Sequence, residues 1–380
     1  MQFYRWQGYR CAYEQQGESA DVPALLLIHP VGVGLSSRFW QPFLEQWQQA
    51  EPPNPVYMPD LLGCGASVKP RAAYHPEDWA AQLKFFIDTV VQQPVILVIQ
   101  GALLPVGIRL AAMTAEVKGL ILSGPPNWSL MTEPTPSWQQ RVNWNLFDSP
   151  IGQAFYQYAR RRQFLRSFSQ RQLFEKPADV SDSWLSMLQA GAEEPASRHA
   201  VFSFLAGFWR QDYEGAIAAT QQPTLVLMGQ EASSISRSAQ PETPEQRLQV
   251  YLDHFPCSEG EIIAGRNVMP YETPDSFVAA IAPFIEKISS GTSFDIGTPN
   301  ELLDEASDEP SDEVPDPQAE ALDAPNGQSD GPAEANGTES PADDESNGQS
   351  NHQPDLQSGN QADHPPNDES DNEEIVDSAS

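Results

Sequence analysis

The order of apolar and helical segments predicts an α/β domain: a mostly parallel sheet flanked by helices, with one helical insertion and an acidic C-terminal segment. Short apolar runs bounded by turn residues alternate with helix-like stretches. One aromatic-rich interval, 127–214, breaks that alternation. From Ile288 onward the composition changes altogether.

The runs Ala24 to Ile28, Val56 to Met58, Val95 to Ile99, Val117 to Leu122, Thr224 to Met228 and Glu261 to Ile263 read as strands. Several are continuous rather than alternating, as strands buried on both faces of a parallel sheet are. Helices are expected over Pro76 to Val91, Val106 to Met113 and Pro274 to Ile288. In the last, Thr273 is expected as the N-cap and Pro274 at the first helical position. Right-handed crossovers then place any ligand at the carboxyl ends of the strands. Between 127 and 214 no strand is expected, and Trp138, Trp144, Phe147, Phe155, Tyr156, Tyr158, Phe164, Phe168, Phe174 and Trp184 recur at helical spacing. That pattern predicts a helical lid inserted after a strand, its aromatic rings forming a core of their own.

Charge divides the 380 residues unevenly. Residues 288–380 hold 25 acidic side chains, 10 prolines, one aromatic residue (Phe294) and no Lys or Arg, so they carry −25 of the total −32. A segment so charged and so poor in apolar side chains cannot offset its ordering entropy by burial, and residues 290–380 are expected to be a disordered acidic tail. The folded domain is expected over 1–289. The largest basic cluster is Arg160-Arg161-Arg162, so the sequence argues against a nucleic-acid partner. No stretch approaches a membrane span, and no signal peptide opens the chain, giving an expected cytoplasmic protein. Cys11, Cys64 and Cys257 are too dispersed for a disulfide framework or a metal site, and no cofactor is expected.

With the segments in order, the chain resembles the α/β-hydrolase superfamily. Leu25-Leu26-Leu27-Ile28-His29-Pro30-Val31-Gly32-Val33-Gly34 is similar to that family's opening strand and loop, and Asp60-Leu61-Leu62-Gly63-Cys64-Gly65-Ala66-Ser67 to its second landmark turn. Val95 to Ala112 stands where the nucleophile strand, turn and helix belong. Val117 to Pro126 resembles the next strand, Thr224 to Gly229 the strand before the acid loop, and Gly265 to Pro274 the histidine loop. The sequences His29-Pro30-x-Gly-Val-Gly and Asp60-Leu-Leu-Gly-Cys-Gly most resemble short cyanobacterial α/β-hydrolase-like proteins.

The resemblance implies a triad, and the residues at its positions cannot form one. The nucleophile position falls on Gly101, and between Val95 and Met113 there is no Ser, Thr, Cys, Asp, Glu or His in any register. Gly101 is expected to hold the strained elbow conformation. The acid position falls on Ala232, beside Glu231. The histidine position, five residues before Glu272, falls on Asn267, whose amide cannot act as a general base. His254 is expected on the surface of a preceding helix. What the resemblance leaves is the oxyanion-type pair of backbone N–H groups, Val31 and Ala102.

Three readings follow. The first is a non-catalytic member of the superfamily whose pocket and lid bind a small apolar molecule or dock a protein, as in the N-myc downstream-regulated proteins, which it resembles in lacking the nucleophile. The second is a hydrolase or lyase working through other groups: His29, Glu231, Cys64 or Ser36. The third makes the acidic tail the contact for a basic partner.

Overall fold

The computed structural model describes residues 1–18, 20–50, 52–235, 242–292 and 294. The acidic segment expected from 290 onward lies almost wholly outside the described residues.

The chain opens with two antiparallel strands, β1 (Gln2–Trp6) and β2 (Tyr9–Gln16), joined at Gln7-Gly8. Both residues have positive φ, 49° and 83°, the backbone of the tight hairpin turn that matches strand twist. This hairpin is absent from the sequence expectation because β1 alternates buried Tyr4 and Trp6 with exposed Arg5, and the buried run of β2 is only Cys11-Ala12-Tyr13, flanked by polar residues. Next come β3 (Ala24–Ile28), α1 (Gln41–Gln49), β4 (Val56–Pro59), α2 (Pro76–Phe86), β5 (Val95–Gln100), α3 (Leu104–Met113) and β6 (Val117–Ser123). After the insertion the alternation resumes with β7 (Thr224–Gly229), α11 (Pro244–His254), β8 (Ser258–Ile263), α12 (Met269–Glu272) and α13 (Pro274–Ser289).

The eight strands form one sheet in the order β1-β2-β4-β3-β5-β6-β7-β8, and every pairing from β4 to β8 is parallel. Along the continuous strands side chains still alternate between the two faces. Leu26, Ile28, Leu97, Ile99, Leu120 and Leu122 join one core with Trp79, Leu83, Phe86, Val106 and Leu110 of α2 and α3. Leu25, Leu27, Ile96, Val98 and Ile121 join the other, with Phe43, Trp47, Phe277, Ile281 and Phe284 of α1 and α13. Layers of helix on both faces explain why these strands carry so little polar surface.

The interval between β6 and β7 contains only helices: α4 (Trp128–Thr132), α5 (Ser137–Phe147), α6 (Pro150–Ala159), α7 (Arg162–Phe168), α8 (Asp182–Gly191), α9 (Arg198–Leu205) and α10 (Glu214–Ala218), with short 3-10 and π turns. The expected separate aromatic core is only partly formed: Tyr156 and Phe202 pack with Trp144 and Phe147, as in the Phe147–Phe202 pair at 5.0 Å. Phe174 and Trp184 instead join the core against α1 and α13, and Trp138, Phe155 and Tyr158 are exposed. Thr273 corrects one detail. Its hydroxyl does not cap α13 but donates to the carbonyl of Ala264 at 2.8 Å, tying the last loop together, while Pro274 does begin the helix.

Candidate functional site at the strand ends

Gly101 follows the last residue of β5 directly and precedes α3, with φ of +62°. For a residue with a side chain this left-handed conformation costs about 1–2 kcal/mol. A β-carbon there would meet only the carbonyl oxygen of Gly124, at 4.0 Å, so the turn has room for a side chain and carries none.

The preceding residue occupies the ground between strands and loops. Gln100 is 2% exposed. Its Nε2 donates to the backbone carbonyl of Asn267 at 2.8 Å, and its Oε1 accepts from the Ser123 hydroxyl at 2.8 Å. Asn267 is held from every side. Its backbone N–H donates to Leu173 O at 3.0 Å, and its Nδ2 donates to Gln172 O at 2.7 Å and Ser233 O at 3.0 Å. Its Oδ1 accepts from the Ser233 N–H at 3.4 Å. Ser233 in turn accepts from the Arg266 guanidinium at 2.7 Å and 3.1 Å. Ala232 is buried beside this network, and Glu231 is exposed, its N–H donating to Gly265 O. The loops after β5, β7 and β8 thus meet through amides and hydroxyls, with no titrating group at the three inferred triad positions.

Glu272, five residues beyond Asn267 at the end of α12, is partly buried. Burial pushes its pKa up, opposed by backbone N–H donations from Arg266 and Glu175. Those donations fix the loop, so the carboxylate serves as a local brace.

His29 lies at the end of β3 and is fully buried. Nε2 accepts from the Leu61 N–H at 3.1 Å, which leaves Nδ1 to donate to the carbonyl of Pro30 at 2.9 Å. Burial lowers its pKa, outweighing the negative charge of Asp60, so the ring is neutral with both nitrogens engaged. Asp60 accepts from the Ser37 and Ala66 N–H groups at 2.8 and 2.7 Å, so the landmark turn after β4 fastens the loop after β3. Cys64, in that same turn, has its thiol pKa pushed up to about 12 by burial and by Asp60, and is no nucleophile near neutral pH. Ser36 is buried. His29 and Glu231 are not brought together: β5 and β6 separate β3 from β7, about 14 Å of sheet.

Val31 and Ala102 follow the adjacent, in-register strands β3 and β5, with Ile28 opposite Ile99, and both pack against the same core. His254 ends α11, partly exposed, its ring over Trp128 at 4.2 Å. Among the described residues no group of three or more His, Cys, Asp or Glu side chains converges as a metal site requires.

The insertion closes tightly over this edge. Gly34, φ +80°, lies so near the carbonyl of Leu188 on α8 that a β-carbon would overlap it, and Gly191 meets Gly34 O in the same way. Trp184 packs on Phe39, Phe174 and Tyr271. Two surface hollows, about 270 and 380 Å³, lie away from these loops, one against Leu44 and Trp47 and the other at the amino ends of the strands around Pro94 and Pro223. Sequence reasoning passed over Gln100 and Ser233. The one available signal was a polar residue ending the wholly apolar run of β5.

A mostly parallel sheet with helices on both faces, a sharp turn after β5 and a helical insertion after β6 define an α/β-hydrolase fold. The sequence profile of the alpha/beta hydrolase family matches residues 25–280, and the chain belongs to that family. No curated protein matches it in sequence. Among solved structures it is similar to a thermophilic esterase from Thermogutta terrifontis, with 20% identity over 76% of this chain and 100% of the other, at a TM-score of 0.58. It is also similar to the enol-lactonase from Burkholderia xenovorans, with 14% identity over 75% and 100% of the two chains and a TM-score of 0.57. A putative ancestral haloalkane dehalogenase gives 20% identity, 76% and 100% coverage and a TM-score of 0.58. At these identities the likeness concerns the fold.

Proposed function

We propose that this chain is a non-catalytic member of the alpha/beta hydrolase family, a scaffold whose closed strand edge serves docking rather than turnover. Within the family we place it beside the cyanobacterial hydrolase-like proteins that its His29 and Asp60 motifs resemble. One observation carries the reading. Gly101 has the left-handed φ that a nucleophile elbow takes and no attacking atom, while the Gln100 amide donates to the Asn267 backbone carbonyl and the Asn267 amide to the carbonyls of Gln172 and Ser233. Losing nucleophile and base together costs an acting triad on the order of 10⁶ in turnover, which backbone donors alone do not restore.

Docking is better supported than a small apolar ligand. The carbonyls of Gln172, Leu173 and Ser233 close on Asn267, and α8 lies backbone to backbone against Gly34, so entry requires lifting the insertion. The test is a fluorophosphonate probe on the full chain, with p-nitrophenyl acetate turnover measured alongside. No labelling and no turnover above buffer are expected. A covalent adduct on any serine, or turnover lost in His29→Ala while that variant stays folded, would sink the proposal.

A further inference from the structure

The α5–α6 hairpin leaves an apolar row uncovered. α5 has no buried residue, and its Trp138, Val142 and Leu146, spaced one turn apart, are exposed. Ile151, Phe155 and Tyr158 extend the exposed set along α6, with Trp138 at 67% and Ile151 at 68%. The hairpin is nonetheless anchored. Trp144 and Phe147 pack on Phe208 and Phe202 at 5.8 and 5.0 Å, and Gly152, Tyr156 and Ala159 of α6 are buried.

Charge runs against the rest of the molecule at this place. Ser137 to Arg171 contains six arginines and a single acid, Asp148, in a chain of net −32. Arg160 is occupied by the carbonyls of Ala192 and Glu193, and Arg162 and Arg166 by Asp182. Arg141 and Arg161 are exposed with no ion pair among the described residues, and Arg161 lies 5.8 Å from the Tyr158 ring centroid.

An occupant must therefore accept apolar side chains and supply negative charge. A second copy docked face to face would bring the arginines of both copies together. The acidic segment supplies charge but has one aromatic residue among residues 288–380. A helix with Trp and aliphatic residues on one face and basic groups beside them suits the boundary between headgroups and acyl chains. We infer that the α5–α6 hairpin docks on an anionic lipid surface, with Trp138, Ile151 and Phe155 entering the acyl boundary and Arg141 and Arg161 meeting the headgroups. At physiological salt, repulsion from any acidic group farther than roughly 8 Å is screened, and Asp148 is the one acid between Ser137 and Arg171. This inference is independent of whether the strand-end site is catalytic.

The experiment is flotation of the full chain with vesicles of phosphatidylcholine plus phosphatidylserine, compared with phosphatidylcholine alone. Binding is expected only with the anionic lipid and weakens as salt rises. Trp138→Asp with Ile151→Asp should reduce it about tenfold or more. Arg141→Gln with Arg161→Gln should reduce it roughly twenty-five-fold, each arginine near an anionic surface contributing about fivefold. All four positions are exposed, so unchanged circular dichroism and Tm are expected. Absent flotation, or flotation equal in the wild type and both variants, overturns the inference. A concentration-dependent dimer that the aspartate variant abolishes overturns it in favour of a second copy. Hairpin protection from amide exchange in the lipid-free chain that high salt removes overturns it in favour of the acidic segment.

Discussion

Gln100 donates its side-chain amide to the backbone carbonyl of Asn267 at 2.8 Å, across 167 residues of sequence. Its carbonyl takes the Ser123 hydroxyl at the same distance. The end of β5 is thereby fixed both to β6 and to the loop after β8.

Replacing Gln100 with Ala should strand the buried Ser123 hydroxyl and the part-buried Asn267 carbonyl. The expected loss is about 1–3 kcal/mol of stability, read as a lowered urea midpoint with unchanged m-value. An unaffected midpoint would mean that the network bears no load.

Gly101→Ser should cost about 1–2 kcal/mol, because the turn keeps its left-handed φ although space for the β-carbon exists. Combined with Asn267→His it should yield no more than about 10⁻⁴ of an intact triad's turnover, since Ala232 provides no acid to orient the ring. Hydrolysis of p-nitrophenyl esters measures this. Fast turnover would assign the orienting role to a neighbouring carboxylate such as Glu231.

Acid should weaken the fold through two histidines. Burial holds the pKa of His29 and of His199 below the ordinary 6.5, so the unfolded chain takes up protons first. Their contribution is complete above pH 6.5 and is lost as pH falls from there toward the folded values, by up to about 1.4 kcal/mol per pH unit for each group. Glu272 acts oppositely and in a lower window. Its raised pKa means stability is full below 4.5 and declines as pH rises through that value. Urea titrations from pH 7 to 5 should show the loss, and His199→Leu should flatten it. A profile unaltered in that variant would refute the assignment to His199.

Gly191→Ala should force α8 off the loop after β3, because the added methyl group overlaps the Gly34 carbonyl. Overpacking of this kind costs typically about 1–3 kcal/mol. Faster proteolysis within 162–205 is the expected sign of a loosened insertion, and equal cleavage rates would show that the closure is not set there.

The central strands could be read from the chain because burial on both faces requires uninterrupted apolar runs. Leu97 and Val98 enter opposite cores, yet both must be apolar. The same requirement hid β1 and β2, where only Tyr4 and Trp6, then Cys11, Ala12 and Tyr13, turn inward. Gly101 and Asn267 were singled out by the order of segments alone, as the positions where the resemblance expects a nucleophile and a histidine. Local composition thus determined the layers, the helical insertion and the absence of acid–base residues at the inferred triad positions. Only tertiary structure decided that Gln100 bridges Asn267 and Ser123, that His29 has both nitrogens engaged, and that Trp138 and Ile151 face outward while Trp144 faces in. Such facts depend on partners brought together from distant parts of the chain and on which helical face is covered, and linear spacing encodes neither.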